Sequence, residues 1–188
     1  MRDSGAIRPH TCSVVERLRV RSATDHVYAP AWLAILRAGL VSGVLDITAA
    51  IVVYARFAHT VPMLQGIASG ILGRDAFTGG LATAGLGLLC HFSIATTAAA
   101  AYFAASRRMP VLLEHAVASG AAYGVFVYFF MQLVVIPLSA IGPRPLALED
   151  VLIGVAIHIP CVGLPIALTL RRYAPASRVA DVVPAGGE

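Results

Sequence analysis

The chain has no lysine: all 14 basic residues among its 188 are arginine. Charged residues of both signs make up 13% of it, where a soluble domain carries about 25%. The apolar fraction is 58%, with a mean hydropathy of +0.79. This balance excludes disorder, a coiled coil and an ordinary soluble enzyme. The cysteines are three (Cys12, Cys90 and Cys161). An odd number, with two members inside apolar runs, argues against a disulfide framework. The formal charge of +4 is spread over the ends of apolar runs and shows no basic stripe with interleaved aromatics, so no nucleic-acid partner is expected. No GxSxG, Walker or GxGxxG motif is present, and Ser93, Ser119 and Ser139 have no base nearby in sequence. Catalysis is therefore not the expected role. Residues 1–29 lack the apolar core of a secretory signal and read as a polar cytoplasmic arm.

What remains is apolar sequence in runs of membrane-spanning length. A helix needs about 20 apolar residues to cross a bilayer, and it satisfies its own backbone hydrogen bonds there. Four runs qualify, at about 32–55, 81–104, 111–136 and 151–170. The last contains Pro160 and Pro165, and Pro137 is expected to break the third. The segment 62–73, PMLQGIASGILG, is too short to cross and predicts a short interfacial or re-entrant helix. The fold expected is an all-α integral membrane four-helix bundle over residues 30–172, with a flexible tail at 173–188. With the N-terminus inside, ten arginines fall on the inner side, and Arg56, Arg74 and Arg144 on the outer. This predicts both termini in the cytoplasm.

The first and third runs each carry GxxxG, at Gly39/Gly43 and Gly120/Gly124. The second and fourth each carry a histidine followed by an arginine pair: His91 with Arg107-Arg108, and His158 with Arg171-Arg172. Two related helical hairpins would produce this pattern. The GxxxG faces also offer a route to a homo-oligomer, since small residues let helices approach closely in lipid.

Polar groups inside spans are costly and therefore informative. Asp46 lies near the middle of the first run, on the helical face of Gly39 and Gly43. A midplane carboxylate costs at least ~2.5 kcal/mol on insertion scales. At the ~1.5 Å rise of a helix, His91 and His158 lie at similar depth. An Asp46–His91 pair, joined by His158, is the expected site for binding or relaying a proton or small solute. Tyr128 and Gln132 are candidates for further polar contacts nearer the outside. Arg37 and Glu114 have equal depth and opposite charge, which predicts a structural ion pair. A structural or assembly role without transport is the competing reading. Haem held by His91 and His158 in an electron carrier is a third. No metal site is expected: Cys90 and His91 are adjacent, so they project ~100° apart on a helix.

Four stretches, LQGIASGILG at 64–73, GLGLLCHF at 85–92, YGVFVYFFMQLVVIPLSA at 123–140 and HIPCVGLPIAL at 158–168, resemble a family of small four-span bacterial inner-membrane proteins of no assigned activity. The resemblance implies the topology and an inner-membrane location. It carries over no functional residue.

Overall fold

The computed structural model describes residues 30–54 and 59–173. The expected polar arm at 1–29, most of the expected tail, and Arg56 lie outside the described residues. Helices α1 (Ala31–Tyr54), α2 (Thr60–Leu72), α3 (Gly80–Arg108), α4 (Val111–Glu114), α5 (Ala116–Phe130), α6 (Ile136–Leu138), α7 (Leu148–His158) and α8 (Leu164–Tyr173) follow in order. A 3-10 turn, Gly73–Thr78, joins α2 to α3. Two π-helical turns, Met131–Val135 and Ile159–Gly163, make α5–α6 and α7–α8 continuous. Four helices are long and apolar enough to cross a membrane: Ala31–Val53, Gly80–Arg108, Ala116–Leu138 and Leu148–Tyr173. They are spans one to four. The described residues contain no strand.

The ends of the spans follow local chemistry. Span two continues past residue 104 through alanines and stops at Met109, because the residue before a proline is pushed out of the α region. Span three starts at Ala116 rather than Val111, since the chain breaks at His115 (φ −106°, ψ 45°). Span four starts earlier than expected, at Leu148, and its first turn holds Glu149 and Asp150, which suit the positive end of a helix dipole. Pro137 does not end span three. Proline cannot donate to the carbonyl four residues back, and the helix accommodates it by widening into a π turn. Pro160 sits in the equivalent turn of span four.

Span one packs between spans two and four, span three packs on span four, and α2 packs along span two. The seams are built on absent side chains. A methyl on Gly39 would stand 2.6 Å from Thr96 Cα, and one on Gly43 2.7 Å from the Phe92 ring. In the second hairpin, a methyl on Gly120 would lie 2.9 Å from Ala167 Cβ, and one on Gly124 2.6 Å from the His158 carbonyl oxygen. In each hairpin the second glycine of GxxxG lies against the histidine region of the following span. Both GxxxG motifs thus make close contacts between spans within the chain.

The α2–α3 hairpin is closed in the same way. The main chain of Leu64 lies where a Gly87 side chain would be. The Gln65 amide donates to the Gly80 carbonyl (3.1 Å) and to Thr83 Oγ1 (3.2 Å). Gly73 and Gly80, at φ 61° and 58°, bound the connector. The far end of α2 reaches the chain just past span three, where the Ala140 amide donates to the Gly70 carbonyl at 2.9 Å.

The buried core is mostly alanine: Ala34, Ala38, Ala99, Ala116 and Ala167 surround Tyr102, Ile166 and Leu170. Large apolar side chains such as Leu89, Val117, Leu133 and Leu152 point outward. In water that surface would aggregate; in a bilayer it is the face that meets acyl chains.

Candidate functional site

Asp46 is half-buried on α1. Span one packs on the π turn of span four, which contains Cys161. Asp46 forms no hydrogen bond or ion pair among the described residues. In the same turn, Pro165 deprives the Cys161 carbonyl of its α-helical donor. The span that carries this carboxyl thus packs on a proline-containing widened turn.

The expected Asp46–His91 pair is not formed. His91 Nε2 donates instead to the Gly43 carbonyl, 2.9 Å away and one turn before Asp46. The cause is the missing side chain of Gly43: span two comes so close that the imidazole reaches main chain, with Phe92 packed over the same glycine. The carbonyl can only accept, so the proton is on Nε2.

His158 belongs to another seam. Its Nδ1 donates to the carbonyl of Gly154, one turn back in its own helix, at 2.8 Å. Its ring meets Tyr128 of span three edge-on, with centroids 5.3 Å apart at 73°. Tyr128 is buried, its ring lies against Gly154, and its hydroxyl donates to the Asp150 carbonyl at 3.1 Å. Tyr128 and His158 therefore meet each other, each hydrogen-bonded to span-four backbone. The two histidine rings have different hydrogen-bond partners on different seams. No group of three His, Cys, Asp or Glu is placed for a metal ion among the described residues.

Gln132 accepts from Arg144 Nη2 (3.3 Å), which ties span three to the loop before span four. The Arg37–Glu114 ion pair is also not formed. Arg37 Nη1 donates to the Tyr173 hydroxyl, and its guanidinium carbon stands 5.5 Å from the centre of that ring. Spans one and four pack directly, so Tyr173 is within reach. Glu114, in the separate turn α4, is exposed.

One polar cluster escaped the sequence reading. Tyr102, 1% exposed, donates to the Leu112 carbonyl (2.9 Å) and shares a 2.8 Å hydrogen bond with Ser119 Oγ. Tyr123 packs on Tyr102 with centroids 4.9 Å apart and donates to the Ala98 carbonyl (2.7 Å). Together these fasten spans two and three beside their tight connection. The available signal was the placement of Tyr102 and Ser119 on either side of Met109-Pro110, which brings them to one level.

No protein-family model, no curated protein and no solved structure matches this chain.

Proposed function

We propose that this chain is a small multi-pass protein of the bacterial inner membrane, with both termini in the cytoplasm, that binds or relays a proton or small solute at Asp46. The distribution of arginines supports the orientation, and the resemblance of the four quoted stretches supports the membrane assigned. One observation carries the functional reading: a half-buried carboxyl in the middle of an apolar span, with no hydrogen bond or ion pair among the described residues, on the helix that packs against a proline-widened turn. A bundle held only by packing gains nothing from such a group, whose insertion costs at least ~2.5 kcal/mol. π turns interrupt helices most often at functional sites. In this reading Asp46 takes up the proton or solute, and the turn at Ile159–Gly163 supplies backbone oxygen. His91 holds the seam and is not the partner of the carboxylate.

The test is flux into liposomes that contain the purified full-length protein, followed with a pH-sensitive dye and a panel of small ions. Flux in the wild type and its loss in Asp46→Asn, with thermal stability kept, is the expected result. Undiminished flux in Asp46→Asn ends the proposal. The competing reading, a structural or assembly protein, is favoured by the use of both histidines and both GxxxG motifs in packing. It predicts no flux in the wild type.

A further inference from the structure

The bundle is electrically lopsided. The end at which span one begins carries Arg37, Arg107, Arg108, Arg171 and Arg172, all exposed. Among the described residues, Glu114 is the carboxylate at that end. At the opposite end Arg74 and Arg144 stand among Asp75, Glu149 and Asp150. Neither arginine pair has an ion-pair partner among the described residues. Two helices, α3 and α8, end at the arginine-rich face, and each C-terminus presents the equivalent of about half a negative charge. That balances roughly one guanidinium of the five.

We propose that this face binds the headgroups of anionic phospholipids and selects them over zwitterionic ones. Three observations lead there. First, the cations stand at the ends of membrane spans, where lipid phosphates lie. Second, every one is arginine, whose planar fork matches two phosphate oxygens and gives up its hydration more readily than an ammonium group does. Third, Arg37 is not extended freely into water. The hydroxyl and ring of Tyr173, which follows Arg171 and Arg172 in span four, hold its guanidinium at the junction of spans one and four. The result is a set of cations on two packed helices, one of them anchored by Tyr173, continued on span two by Arg107 and Arg108. The proposal requires only the membrane bundle and is independent of Asp46.

The molecule carries its own reporter. Trp32 is the single tryptophan of the chain, 61% exposed and in the first turns of α1 at the same end. The full-length protein is reconstituted in phosphatidylcholine vesicles that contain a fixed fraction of dibrominated phosphatidylglycerol or dibrominated phosphatidylcholine, and Trp32 quenching is compared. The expected result is at least twofold stronger quenching by the anionic lipid in the wild type. That preference is expected to disappear in the double variant R171Q/R172Q and to persist in R74Q/R144Q. A helical circular-dichroism spectrum and an unshifted Trp32 emission establish that the variants are folded. In the unaltered protein, raising the salt to about 1 M is expected to erase the preference, since the Debye length falls to ~3 Å. Equal quenching by the two lipids in the wild type overturns the proposal, as does a preference untouched by R171Q/R172Q. Replacing chloride with inorganic phosphate at equal ionic strength separates the two sources of phosphate. A preference that survives supports the lipid, and one abolished by phosphate alone assigns the face to a soluble anion.

Discussion

The imidazole of His91 donates to the main-chain carbonyl of Gly43 across the seam between spans one and two, at 2.9 Å. The acceptor is backbone, so the bond depends on position 43 having no side chain to hold the spans apart. It makes His91 a packing device one turn away from the carboxyl it was expected to serve. His91→Phe is accordingly expected to lose one interhelical hydrogen bond, about 0.5–1.5 kcal/mol and nearer ~0.6 kcal/mol by the average found between membrane helices. Thermal unfolding in detergent measures this. Any flux carried by the wild type is expected to persist in the variant.

The carboxyl of Asp46 predicts a trade between stability and function. Asp46→Leu removes a group that costs at least ~2.5 kcal/mol to insert at mid-membrane and that has no partner to lose among the described residues. The variant is expected to unfold at higher temperature or denaturant than the wild type, by up to about 2 kcal/mol in stability, while losing flux. A marked loss of stability instead assigns Asp46 a structural contact.

Two glycine-to-alanine changes are expected to differ sharply. At Gly124 the added methyl meets the His158 carbonyl oxygen at 2.6 Å and Ile159 Cα at 2.8 Å. Both are backbone atoms, so the spans must part; overpacking of this kind costs about 1–3 kcal/mol. At Gly85 nothing lies within 4 Å, and alanine is the better helix former by about 0.8–1 kcal/mol in water. Unfolding of Gly124→Ala and Gly85→Ala in parallel is expected to give opposite signs.

The hydroxyls of Tyr102 and Ser119 share the Leu112 carbonyl as well as bonding to each other. Groups in one network do not contribute additively. The cycle of Tyr102→Phe, Ser119→Ala and the double variant is expected to show a coupling of about 0.5–3 kcal/mol, read from unfolding midpoints. Additive losses would show that the two hydroxyls act separately.

The amino-acid sequence alone determined the class and the span number, because a helix satisfies its own backbone in lipid and about 20 apolar residues suffice to cross, whatever its neighbours. It also marked which residues are expensive to bury, and placed α2 within two residues of its expected start. Partners were a different matter. Depth estimates put Asp46 beside His91 and Arg37 beside Glu114 with equal plausibility, since residues at one level can meet any neighbouring helix. Only the tertiary structure decided that Gly43 brings span two close enough for His91 to bond main chain. Only it set Arg37 on Tyr173 through the direct packing of spans one and four, and packed the span that carries Asp46 on the π turn of span four. Helix formation is a local matter of hydrogen bonds and hydropathy. The choice of neighbour is set by steric fit between distant segments, down to a single absent methyl, and no local pattern encodes it.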